Sequence, residues 1–155
     1  MSQPVDCDPR VEVDVRGPRF AAAVTTVVLA LILLTLDSAV GVSLLVLQTL
    51  VFGLGAFLGL RYQPYGIVFR SLVQPRLAPP SEFEDAAPPR FAALVGFIFT
   101  AVALMGIISA VTAIAYVAVA MALAAAFLNA AFGFCLGCEM YLIGRRIFAR
   151  PVAIQ

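Results

Sequence analysis

Cys135 and Cys138 stand three apart in the stretch FGFCLGCEMY, residues 132–141, with Leu136 and Gly137 between them. Two thiols at this spacing can close a disulfide, attack a disulfide or persulfide on another molecule, or give two ligands to a metal. Zinc and iron–sulfur sites want four ligands, so a metal would need pairs from two chains. No metal and no cofactor is expected. The third cysteine, Cys7, lies between Asp6 and Asp8. Those charges oppose thiolate formation, which leaves it at most a resolving thiol. The chain has no histidine, and with it goes the usual catalytic base near neutral pH. A serine or cysteine hydrolase is excluded on that ground, and no Gly-rich phosphate loop is present.

What must hold the two thiols is a membrane protein. Of the 155 residues, 63% are hydrophobic and 12% charged, against roughly 25% charged in a soluble domain. No charge occurs from Phe20 to Leu36, from Ser38 to Leu60, or from Phe91 to Cys138. A helix needs about 20 apolar residues to cross ~30 Å of hydrocarbon. The first two runs each fit one crossing, and the third fits two with a turn near Ser109. The expected fold is all-α: four transmembrane helices at about 19–37, 42–61, 91–109 and 113–134, one domain over 1–155 with an interfacial loop at 62–90. A secretory signal is rejected for the first run, because Asp6, Asp8, Glu12 and Asp14 precede it where a basic start is required.

All ten basic residues are arginines. With four spans the N-terminus, the middle loop and the C-terminus share one side, and every arginine falls there. The two tight turns opposite carry only Asp37. The positive-inside rule makes the arginine side cytoplasmic, with both termini in the cytoplasm. Arginines spread over membrane-flanking positions do not suit nucleic acid; the lipid bilayer is the partner they fit.

The sequence repeats. PRFAA occurs at Pro18–Ala22 and Pro89–Ala93, and SAV at Ser38–Val40 and Ser109–Val111, both at an offset of 71. Each half enters through Pro-Arg-Phe, crosses, turns at Ser-Ala-Val and returns, so the fold reads as two duplicated helical hairpins in parallel orientation. In the middle loop Tyr65, Val68, Phe69 and Leu72 fall at helical spacing between Pro64 and Pro75, as in a short helix on the membrane surface. APPSEFEDAAPP, residues 78–89, reads as an irregular acidic linker.

Helices in lipid associate through small residues and a few polar contacts. Gly55 and Gly59 give the second span a small face, and alanines from Ala118 to Ala131 give one to the fourth. Gln48 and Asn129 are each expected to hydrogen-bond to another helix. No ionisable side chain lies inside a span, and no polar row lines one, which argues against an ion-coupled carrier. The repeat maps Arg61–Gly66 onto Phe132–Gly137. Cys135 and Cys138 are therefore expected at the cytoplasmic end of the fourth helix, near headgroup level. A pair that closes a helix meets a dipole opposing thiolate, as does Glu139, while Arg145 and Arg146 favour it. Cys138, further toward solvent, is expected to attack, with Gly137 admitting a partner.

VDxRGPRF (Val13–Phe20, with Val15 in the variable place), RYQPYG, PPRFAA and FCLGCEMY together resemble the bacterial membrane family labelled domain of unknown function 4395. The resemblance covers nearly the whole chain, and the paired PRFA elements and FCxGC are its most specific parts. It implies neighbours of the thioredoxin-like and rhodanese-type sulfurtransferase kinds, and so thiol exchange or sulfur handling at the membrane. Two readings follow. In one, Cys135 and Cys138 form a catalytic dithiol facing the cytoplasm. In the other, the chain is a non-catalytic accessory subunit of a larger membrane complex, or a homo-oligomer, in which Gly55, Gly59 and the alanine face matter and the cysteines do not.

Overall fold

A computed structural model describes residues 12–79 and 82–148. In chain order these form a strand β1 (Glu12–Asp14), helices α1 (Arg16–Thr35) and α2 (Ala39–Gly53), a short helix α3 (Pro64–Val68), a strand β2 (Phe83–Asp85), and helices α4 (Ala87–Ile108), α5 (Thr112–Phe132) and α6 (Leu136–Phe148). A π-helical turn at Leu54–Leu58 prolongs α2, and a π turn and a 3₁₀ turn carry α3 on to Arg76. Four segments, Arg16–Thr35, Ala39–Leu58, Ala87–Ile108 and Thr112–Phe132, are long and apolar enough to cross a bilayer. The chain is thus a helical protein with the makeup of a four-helix membrane protein. All four begin ahead of their expected starts, and Arg16–Thr35 and Ala87–Ile108 do so because the Pro-Arg-Phe segments are themselves helical: proline suits a first turn, where its missing N–H has no helical partner to lose.

The duplication extends beyond the hairpins. β1 and β2 are antiparallel, with Val13 opposite Glu84, Glu12 opposite Asp85 and Asp14 opposite Phe83. Val13 and Glu84 are themselves 71 apart, so the ribbon pairs a segment with its own repeat, as a two-fold axis through that central pair requires. Part of the stretch expected to be an irregular linker is therefore a strand. Asp14 and Asp85, also 71 apart, do the same job. Each carboxylate accepts a hydrogen bond at 3.0 Å from a backbone N–H of the helix that follows, Arg16 and Ala87 respectively. These N–H groups are among those a helix start leaves unpaired. α1 packs between α2 and α5, and α4 does likewise. α3 lies on α1 as α6 lies on α4. The unit is strand, two spans and a surface helix, twice over.

The buried cluster sits toward the turn end and joins Leu29, Ile32, Leu45, Ala115, Val119 and their neighbours. Outward residues are apolar too: Leu34 is 82% exposed, and Leu50, Ile108 and Val117 are well exposed. A soluble protein rarely shows such a surface, whereas lipid tails cover it without penalty. At that end Tyr116 Oη donates to Asp37 Oδ2 at 2.8 Å, tying the first turn to α5. The second turn places Ala110 in the left-handed region at φ 57°. The starts of α1 and α4 and the ends of α2 and α5 gather at the other end, with α3, α6 and the eight described arginines. Arg10 and Arg150 lie outside the described residues.

Two outcomes are expected. Ala110→Gly relieves a left-handed alanine and raises stability by about 1 kcal/mol, read as a higher midpoint of thermal unfolding in detergent. Asp14 also pairs with the Arg16 guanidinium at 2.9 Å, and that hydrogen bond holds its carboxyl below the ordinary carboxylate value. A lowered folded-state value stabilises the fold above the unfolded value and ceases to do so as pH falls through the folded one. Wild type should therefore lose about 1 kcal/mol more than Asp14→Asn on acidification from neutrality to below about pH 4.

Candidate functional site

Where α5 ends decides where the thiols go. Gly133 takes φ 66°, in the left-handed region. Its N–H donates to the Asn129 carbonyl at 3.0 Å, and the Phe134 N–H donates to that of Leu128 at 3.4 Å. This glycine-dependent closure satisfies the Leu128 and Asn129 carbonyls of α5 and turns the chain out of the span. After Phe134 and Cys135 a new helix, α6, starts at Leu136. The expectation that the cysteines close the fourth helix is thus corrected: they open the next one.

Cys135 stands in the capping position of α6. Its Sγ accepts the Cys138 N–H at 3.3 Å, and its carbonyl accepts the Glu139 N–H at 3.0 Å. The Cα atoms of Cys135 and Cys138 are 5.1 Å apart and their sulfurs are joined as a disulfide. Both residues are half-buried. A helix start directs unpaired N–H groups and a positive dipole at the capping atom, and both favour a thiolate on Cys135 rather than on Cys138.

Gly137 fixes α6 in place. It is buried, and a Cβ on it would lie 2.5 Å from Ala92 Cα and 2.7 Å from Ala92 Cβ. Its missing side chain lets α6 touch α4, where Phe91 and Tyr141 also pack with centroids 5.8 Å apart. The glycine expected to admit a partner is already filled by the chain itself. Leu136, Met140, Ile143 and Ile147 form an exposed apolar stripe along α6, with Arg145 and Arg146 off it. That pattern suits a helix lying in a membrane interface, with the thiols at its inner end.

Behind the pair is a cavity of about 560 Å³ running between α1, α4, α5 and α6. Its wall is mostly apolar and includes Ala122, Ala125 and Ala126, with Cys135 and Cys138 on the rim. Arg19, Gln63, Glu84 and Asn129 are its polar members near the ribbon end. Burial pushes the Glu84 carboxyl above its ordinary value. Arg19 escapes a reading of sequence motifs as anything but a lipid-facing arginine, although its repeat partner Arg90 carries a clue. Arg90 donates from Nε to the Ala56 carbonyl at 2.8 Å and from Nη2 to that of Phe57 at 3.0 Å. Arg19 reaches the matching place over Gly133, where α5 has already closed its own carbonyls.

The other expectations divide. Gln48 is fully buried and its Oε1 accepts from Tyr65 Oη at 2.7 Å, a contact between α2 and α3. Asn129 lines the cavity instead, with no side-chain hydrogen bond among the described residues. Gly55 faces Ala93 of α4, but a Cβ on Gly59 would meet nothing within 4 Å; Gly59 ends its helix at φ 103°. Ala118 and Ala122 are buried in the protein's own core. Cys7 lies outside the described residues. Among those residues no group of three or more His, Cys, Asp or Glu is placed to hold a metal ion.

The family described as domain of unknown function (DUF4395) matches residues 13–146. The chain belongs to the DUF4395 family. The match begins at β1 and ends within α6, so both copies of the repeated unit are part of the DUF4395 region. No curated protein and no solved structure matches the chain.

Gly137→Val should lift α6 from α4. The expected result is a loss of about 2 kcal/mol of stability, as for other overpacked contacts, with faster alkylation of both reduced cysteines; unchanged alkylation would show that this contact does not seat the pair.

Proposed function

We propose that this protein carries out thiol–disulfide exchange with a soluble dithiol protein of the thioredoxin-like or sulfurtransferase kind. The exchange takes place at the cytoplasmic face of a bacterial inner membrane. The observation that carries the reading is the position of the bonded sulfurs: at the start of a helix, with a backbone N–H on Cys135 Sγ. Sidedness rests on the arginines, which belong on the cytoplasmic side of a multi-span protein.

In the reducing direction the Cys135 thiolate attacks one sulfur of the partner's disulfide. That S–S bond breaks, a mixed disulfide forms, and the partner's other sulfur leaves as thiolate. Cys138 then loses its proton and attacks Cys135 Sγ, which closes the Cys135–Cys138 bond and releases the partner's second thiolate. Run backwards, the same steps oxidise a partner dithiol. A partner persulfide would be attacked at its outer sulfur in the same way. The accessory-subunit reading would have to rest on Gly59 and the exposed alanines Ala120, Ala124 and Ala131, because Gly55 and the buried alanines of α5 pack within the chain.

Cys138→Ser should trap a mixed disulfide through Cys135 in cells, and Cys135→Ser should trap far less. In the reduced single-cysteine proteins Cys135 should be alkylated about tenfold faster than Cys138 near neutral pH. Equal rates and no trapped partner from either variant would defeat the proposal. A membrane-impermeant maleimide that labels the pair from outside intact cells would defeat the sidedness.

A further inference from the structure

The cavity behind the cysteines holds an arrangement that thiol exchange with a soluble protein does not need. Arg19 has its guanidinium over Gly133 and, among the described residues, makes neither a hydrogen bond nor an ion pair. The duplicate, Arg90, binds two carbonyls because the π turn at the end of α2 leaves them open. At α5 the Leu128 carbonyl, the repeat counterpart of Phe57, already accepts from the Phe134 N–H. Arg19, itself exposed, is thus an uncommitted donor at the cavity wall. Two further polar side chains on the wall are almost fully buried: Gln63 at 6% exposure and Thr25 at 3%. Neither makes a side-chain hydrogen bond among the described residues. Buried polar groups are normally paired, so Gln63 and Thr25 point to a ligand with polar atoms, and Arg19 can add a charged donor to it.

The rest of the wall describes the remainder of that ligand. Apart from Glu84, Asn129 and Glu139 it is apolar, and small alanines on α5 leave the room. The space is within the range that holds a drug-sized molecule, roughly 300–1,000 Å³. It lies between spans, so the ligand can enter from lipid. Its rim carries two sulfurs able to give up two electrons. We infer that the cavity binds a quinone, and that the quinone oxidises the Cys135–Cys138 dithiol. This rests on the exchange reading and gives it a direction: electrons pass from the soluble dithiol to this pair and on to the quinone.

The step balances. Two S–H bonds break and the Cys135–Cys138 bond forms. Two electrons and two protons pass to the two carbonyl oxygens, and the product is the hydroquinone. Arg19 donates to one of those oxygens as negative charge builds on it, the kind of fixed donor that lowers such a barrier. A phospholipid would also fill an apolar cavity and meet an arginine, but it accepts no electrons.

The test uses the full chain in detergent, reduced and freed of reductant. A benzoquinone substituted at every ring position, with a short alkyl tail, is added; lacking ring hydrogens, it cannot add to thiols. Loss of quinone absorbance and disulfide formation by mass-tagged alkylation are followed together. One quinone should be consumed per disulfide formed, with saturation kinetics. Arg19→Gln should lower the maximal rate about tenfold, as loss of a hydrogen bond from a charged donor does, with partial recovery in Arg19→Lys. Ala125→Leu should raise the half-saturating quinone concentration about tenfold by filling the cavity. Exchange with a soluble protein disulfide, measured without quinone, should persist in both variants. Quinone reduction that is absent, non-saturating, or equal in wild type and both variants overturns the inference. If exchange persists in wild type, the exchange proposal still stands; if exchange is absent as well, both fall.

Discussion

A helix that stops at the edge of hydrocarbon leaves its last carbonyls without partners, and each span here must close its own end. The two halves solve this differently. In the first, a π turn leaves the carbonyls of Ala56 and Phe57 open and Arg90 reaches across from α4 to bind them. In the second, Gly133 turns left-handed and the chain binds its own carbonyls. The second solution turns the chain abruptly, starts α6 with Cys135 as its cap, and leaves Arg19 uncommitted. Placement of the thiols, the bias toward Cys135 and the polar lining of the cavity all descend from that one residue.

Packing then locks the arrangement. α6 would drift from the bundle without a contact to hold it, and a glycine against an alanine supplies one at close range. The exposed stripe of α6 keeps the helix in the interface rather than in water. The thiols are thereby held at the start of α6, on the rim of the cavity between the spans.

Much of the architecture was legible in the sequence, because charge-free length and a 71-residue offset are strong signals in a membrane chain. The four spans, the doubled hairpins and the surface helix near Tyr65 could all be read from them. The ribbon could not. EVD and FED share no motif, and their pairing depends on a symmetry that appears only when the bundle closes. The cysteines were found but misplaced. An apolar run that continues through Ala131, Phe132 and Phe134 gives no periodic sign of a break, and the one signal, Gly133, reads equally as a flexible residue within a helix. Arg19 was missed because what separates it from Arg90 lies on other helices.

The duplicated unit lets two equivalent corners of the bundle differ in composition. At the offset of 71, Pro64 corresponds to Cys135 and Ile67 to Cys138, while Gly66 corresponds to Gly137. Were the two halves separate, identical molecules, both corners would have to bear sulfur or neither. Joining them in one polypeptide removes that obligation. One corner can keep a proline start and the Tyr65–Gln48 bond as an inert brace, while its twin is free to become reactive.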